Sequence, residues 1–147
     1  MKILLIEDSV DKRKNILASL KEFEDNFDVL TKESVRGALD ALESESFDLI
    51  LLDMSLPVFD VSDEIPDGGE AESFGGMEII QQLSFLDINT PVVILTHYRT
   101  FHGGTTYEDL EQELIDEFPT IVKGMIYYDY PSNEWNIELN KYLRKLK

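Results

Sequence analysis

Short apolar runs alternate along this chain with stretches where apolar residues recur every three to four positions. The first run, residues 2–6, reads as a buried strand, because strands covered on both faces lose the usual polar alternation. Ser9 then caps a helix whose apolar face is Ile16, Leu17, Leu20 and Phe23. A short strand at 28–30 is followed by a helix opened by Ser34, with Val35, Ala38, Leu39 and Leu42 on one face. A third strand covers 48–52, and Pro57 ends regular structure. A helix resumes near Gly76 with Met77, Ile79, Ile80 and Leu83 apolar. Pro91 introduces a fourth strand through Leu95, and a fourth helix runs over about 106–117, closed by Pro119. A fifth strand at about 124–128 leads through Pro131 and Ser132 to a last helix carrying Trp135, Ile137, Leu139, Tyr142, Leu143 and Leu146. Five strands alternating with five helices, without an internal repeat, predict an α/β fold around a parallel sheet.

Two connections are long. Residues 58–75 lack periodicity and hold Asp60, Asp63, Glu64, Asp67, Glu70 and Glu72 with no Lys or Arg. Residues 97–105 hold His97, Tyr98, Arg99, Phe101, His102 and a Gly-Gly pair. Loops of this length inside a compact domain are functional or disordered. Solvated loops account for both histidines and for the acidic stretch, whose acids do not alternate before a glycine as a Ca2+ loop requires.

The polar residues that close the strands carry the chemistry. Glu7 and Asp8 follow the first strand, Asp53 follows the third, and Thr96 ends the fourth. Ligands of open α/β sheets sit outside the carboxyl ends of the strands, so these residues share one edge. Two carboxylates about 4 Å apart repel by roughly 4 kcal/mol at an effective dielectric near 20. Three of them need a cation or a shared proton. Mg2+ suits the donor set, because it takes a few carboxylates and keeps waters. Asp53 is then placed to attack phosphorus and carry an acyl phosphate, with Thr96 donating a hydrogen bond to the transferred group. Helix capping is the competing explanation and suffices for Asp8. It does not suit Asp53, which precedes Met54-Ser55-Leu56-Pro57 and no immediate helix.

Composition narrows the partners. The 147 residues include 30 acidic and 13 basic side chains, a formal charge of −17. That balance disfavours direct nucleic-acid and anionic-membrane binding, which need Lys and Arg. No cysteine is present, so disulfides, thiolate metal sites and a Cys nucleophile are excluded. Apolar runs are too short to span a bilayer, and the N-terminus is unlike a signal peptide. One cytoplasmic domain over 1–147, with an acidic insertion at about 58–75, is the expectation. Lys141, Arg144, Lys145 and Lys147 read as a solvated face at a helix C-terminus.

Several segments taken in order resemble the receiver domain of two-component response regulators. Ile3-Leu-Leu-Ile-Glu-Asp-Ser9 is similar to its first strand and acidic pair, and Phe47-Asp-Leu-Ile-Leu-Leu-Asp53-Met-Ser-Leu-Pro57 to its phosphoacceptor segment. Gly75-Gly-Met-Glu-Ile-Ile-Gln-Gln-Leu83 and Pro91-Val-Val-Ile-Leu-Thr96 resemble its third helix and fourth strand. The resemblance implies a flavodoxin-like (βα)5 fold, an α/β architecture with a five-stranded parallel sheet. It implies that Asp53 accepts phosphate from a histidine kinase or phosphotransfer protein. It implies Mg2+ held by Glu7, Asp8, Asp53 and the backbone carbonyl of Ser55, with Thr96 as switch hydroxyl and Tyr127 as switch aromatic. Beyond this self-phosphotransfer no enzymatic activity is implied. A homodimer through the face of the fourth helix, fifth strand and fifth helix is a further expectation.

Three departures stand out. The family places Lys before a proline at the end of the fifth strand, and here Tyr130 precedes Pro131. Tyr donates one hydrogen bond but carries no charge. Lys123 is at the wrong end of that strand, so Arg99 is the candidate replacement, unless nothing replaces the lysine. The acidic insertion would repel an anionic phosphodonor, an effect salt weakens. His97 occupies a position where the family has a small residue. Two functions follow: a phosphoacceptor switch, or a pseudo-receiver that binds partners without phosphorylation. A haloacid-dehalogenase-type phosphatase ranks last, because it expects an acid where Ser55 stands.

Overall fold

A computed structural model describes residues 1–57, 71–72, 75–101 and 104–146. Five parallel strands form the central sheet: β1 (Lys2–Ile6), β2 (Asp28–Lys32), β3 (Leu49–Leu52), β6 (Val92–Thr96) and β7 (Val122–Tyr127), in the order β2-β1-β3-β6-β7. Helices α1 (Val10–Phe23), α2 (Val35–Ser44), α3 (Gly75–Phe85), α4 (Tyr107–Glu117) and α5 (Glu134–Leu146) connect and cover them. The apolar runs divide by parity. Ile3, Leu5, Leu49, Leu51, Val93 and Leu95 pack with α1 and α5. Leu4, Ile6, Ile50, Leu52 and Ile94 pack with α2, α3 and α4. Both faces of the sheet are therefore buried, as the uninterrupted runs require.

Helix starts follow the expected caps. Ser9, Ser34 and Thr106 accept hydrogen bonds from the N–H groups of Lys12, Gly37 and Asp109. The fifth strand begins two residues earlier than periodicity suggested, at Val122, and the second extends to Lys32. Pro57 does not end pairing as expected. Leu56–Pro57 (β4) pairs antiparallel with Ala71–Glu72 (β5) in a two-stranded ladder. Proline is tolerated in so short an edge pairing because only some N–H groups are used. Most of the acidic insertion, residues 58–70 and 73–74, lies outside the described residues, as does His102.

The chain order places the sheet's reversal between β1 and β3: β2 lies to one side of β1, and β3, β6 and β7 to the other. A crevice outside the carboxyl ends at such a reversal is where α/β sheets bind ligands. Among the described residues, no helix is long and apolar enough to cross a membrane.

Candidate functional site

Strand register brings the acids together. Asp53 N–H donates to Ile6 O at 3.0 Å, extending the β1–β3 ladder one residue past β3. Glu7 N–H likewise donates to Lys32 O at 2.9 Å. Carboxylate oxygens of Glu7, Asp8 and Asp53 then lie within 4.8 Å of one another. Glu7 and Asp53 are buried, and Asp8 is exposed. Ser9, not Asp8, caps α1, so capping does not account for Asp8. Ser55 N–H donates to Asp53 Oδ1 at 3.4 Å, which orients the carboxyl. Close packing of α3 holds the segment after Asp53: Gly76 N–H donates to Met54 O at 2.9 Å, and a Cβ on Gly76 would fall 2.8 Å from Asp53 O.

Thr96 is fully buried at the end of β6, opposite Tyr127 of β7. Its hydroxyl accepts from Tyr98 N–H at 3.2 Å. The Tyr127 ring meets Tyr107 edge-on at 6.2 Å, and the Arg99 guanidinium lies 3.8 Å from its centroid. Arg99 is thus engaged in a cation–π contact with Tyr127, not an ion pair with Asp53. Tyr130 is 65% exposed and His97 is exposed, its ring 4.0 Å from that of Tyr98.

The cation in the site comes from an unexpected place. Lys12, in the first turn of α1, is 4% exposed. Its Nζ lies 2.7 Å from Glu7 Oε1, 2.7 Å from Leu95 O and 3.6 Å from Asp53 Oδ1. The Tyr128 ring lies 5.5 Å from the same nitrogen, and Tyr128 OH accepts from Asn15. A sequence signal for Lys12 exists. It stands four residues before Ile16, so it continues the buried face Ile16, Ser19, Leu20 of α1. Lysine is also unfavourable at a helix N-terminus, where the macrodipole is positive.

Burial pushes all three carboxyls above their ordinary range. For Glu7, burial is opposed by Lys12 and reinforced by Asp53. For Asp8, exposed as a residue but with its carboxyl against the other two acids, partial desolvation and the Glu7 charge act together. For Asp53, burial dominates, Lys12 opposes it and Asp8 adds to it. When all are ionised, three carboxylates and one ammonium leave a net charge of −2, which one divalent cation cancels. An all-oxygen donor set with one exposed member suits Mg2+, which retains waters on its open side. The chemistry of the donors fits that metal, and Glu7, Asp8 and Asp53 are the side chains that could hold it.

These features coincide with a family-model match. The description "response regulator receiver domain" covers residues 3–110. The chain belongs to the response regulator receiver family. The Detocs response regulatory protein DtcB of Enterobacter cloacae is 30% identical over 150 residues, spanning 99% of this chain and 100% of that protein. The cell cycle transcriptional regulator CtrA of Caulobacter vibrioides is 32% identical over 111 residues, 71% of this chain and 41% of CtrA. Among solved structures, TrrA of Thermotoga maritima in complex with Mg2+ and BeF shares the fold, with a TM-score of 0.64 at 17% identity over 99% of this chain and 98% of that one. Receiver domains are signalling modules of two-component systems, and the five-stranded parallel sheet with five helices is their architecture.

Proposed function

We propose that this receiver, one domain over 1–147 with an acidic insertion at about 58–75, accepts a phosphoryl group on Asp53 in a Mg2+-dependent reaction. The observation that carries this reading is the buried Asp53 carboxyl within 4.8 Å of the Glu7 and Asp8 carboxylates, at the sheet's reversal. An Asp53 oxygen forms the new P–O bond while the P–N bond of a phosphohistidine donor breaks. The electron pair returns to the imidazole nitrogen, which takes up a proton. Mg2+, when bound, neutralises the carboxylates and the phosphoryl oxygens. Ser55 N–H holds Oδ1, which leaves the other carboxylate oxygen to attack. Ser55 also supplies a backbone carbonyl as a further metal ligand in this reading.

Thr96 is the switch hydroxyl and Tyr127 the switch aromatic. Thr96 shares a backbone register pair with Tyr127, and Tyr107 of α4 meets that ring. A change at Thr96 therefore reaches the α4–β7–α5 face, the surface for a homodimer or an output partner. Tyr130, at the position of the usual lysine, contributes no charge to this chemistry. A groove of about 580 Å3 lined by Ser9, Lys12, Asn15, His97 and Tyr130 adjoins the site and is the approach for a histidine kinase or phosphotransfer protein. The protein acts in the cytoplasm in this reading, where such donors reside.

NMR titration with Mg2+ and then beryllofluoride, a phosphoryl mimic, tests the reading on wild type and Asp53→Asn. Wild type is expected to shift around Glu7, Asp8 and Asp53 with Mg2+, then around Thr96 and Tyr127 with beryllofluoride, and Asp53→Asn to lose the second response. Mg2+ binding with no beryllofluoride response in wild type identifies a pseudo-receiver and refutes the phosphoacceptor reading.

A further inference from the structure

We infer that Lys12 of α1 is the residue that grips the phosphoryl group on Asp53, supplying from the first helix the positive charge that Tyr130 cannot. The inference rests on Asp53 being the acceptor. An ammonium has three N–H donors. One is committed to Leu95 O at 2.7 Å, and Glu7 Oε1 is ion-paired with the ammonium at the same distance. Asp53 Oδ1 lies 3.6 Å away, ion-paired but beyond hydrogen-bond reach. The ammonium therefore keeps donor capacity beside the carboxyl that receives the phosphoryl group.

Position and surroundings support a dedicated role. Lys12 is 4% exposed, and a buried lysine needs a charged partner and a reason to be inside. Glu7 provides the partner, and the Tyr128 ring walls the ammonium from solvent. Leu95 O holds it to the strand residue before Thr96, so the cation and the hydroxyl sit at the same end of β6. Arg99 does not compete for the role, because it stacks on Tyr127. Phosphorylation adds negative charge and strong acceptor oxygens at Asp53. Lys12 is the Lys or Arg that ion-pairs with Asp53 among the described residues.

Beryllofluoride binding in saturating Mg2+ tests this on the full chain, comparing wild type with Lys12→Met, Lys12→Met/Tyr130→Lys and Tyr130→Phe. With Mg2+ saturation checked separately for each variant, Lys12→Met is expected to lose beryllofluoride affinity by about 10- to 100-fold, the scale of one charged hydrogen bond. Restoring lysine at 130 in that background is expected to recover part of the loss, which repair of packing alone would not do. Tyr130→Phe should bind as wild type does. In the wild-type protein, the side-chain 15N signal of Lys12 should move when beryllofluoride is added, a readout independent of how the variants fold. Undiminished beryllofluoride binding by Lys12→Met, or an unmoved Lys12 signal in a responding wild type, overturns the inference while leaving Asp53 as acceptor. A wild type that binds Mg2+ but never beryllofluoride overturns the acceptor reading and this inference with it.

Discussion

Lys12→Met in metal-free buffer strips the positive charge from a cluster of three carboxylates. The ammonium lies 2.7 Å from Glu7 Oε1, with side chains 4% and 2% exposed. At that separation the attraction is roughly 6 kcal/mol at an effective dielectric near 20, much of which offsets desolvation of the two groups. Removing one partner of a buried pair costs about 3–5 kcal/mol, because the other charge is left uncompensated. Methionine keeps the length and the apolar stem, so packing adds little. With about 2–4 °C of Tm per kcal/mol for a domain of this size, the expected fall is about 6–20 °C at neutral pH. The sign with pH follows from Glu7, whose pKa burial already raises and whose main opposing influence is Lys12. Without Lys12 it rises further. Protonation of Glu7 removes the penalty, so variant and wild type converge as pH falls through that raised value. Lys12→Met/Glu7→Gln leaves neither charge and should lose much less stability than Lys12→Met alone. Thermal melts followed by circular dichroism with chelator, from acid to neutral pH, measure all three proteins. A pH-independent loss in Lys12→Met, or a double variant no better than the single, would refute the electrostatic argument.

Metal-free wild type should lose stability as pH rises. The folded carboxyls of Glu7, Asp8 and Asp53 hold protons above their ordinary values of 4.5, 3.8 and 3.8, so the native state binds more protons than the unfolded chain in the window above those values. In that window Mg2+ should reverse the trend and release protons on binding, measured by calorimetry in two buffers of different ionisation enthalpy, and absence of proton release there would count against carboxylate ligation. Gly76→Ala should cost about 1–3 kcal/mol and weaken Mg2+ binding, since the new Cβ would sit 2.8 Å from Asp53 O and 2.9 Å from Met54 Cα, both on backbone; an unchanged Tm in thermal melts would show that α3 can yield.

The sheet was legible because each buried strand is written as an uninterrupted apolar run closed by a polar residue. Strand ends then located Glu7, Asp8, Asp53 and Thr96 on one edge without any side-chain geometry. What periodicity obscured was Lys12. A charged residue in a first helical turn reads as solvated, and only its spacing to Ile16 and Ser19 places it on the buried stripe. Arg99 looked available because it lies on the loop after β6, yet proximity in sequence does not reveal that an aromatic face will hold a guanidinium. The β4–β5 ladder escaped notice for a different reason. Two-residue strands carry no period, and pairing across a long insertion leaves no local mark.

Tyr130 stands at a position 65% exposed to solvent. With charge delivered from α1, the β7–α5 connection is relieved of chemistry and its sequence is open to drift. Such a connection can change which partner it meets without altering how a phosphoryl group is held. A receiver built this way separates the address of a signal from the machinery that records it. Grafting a foreign β7–α5 connection onto it would redirect recognition, a substitution that a receiver with its lysine in that connection would pay for in function.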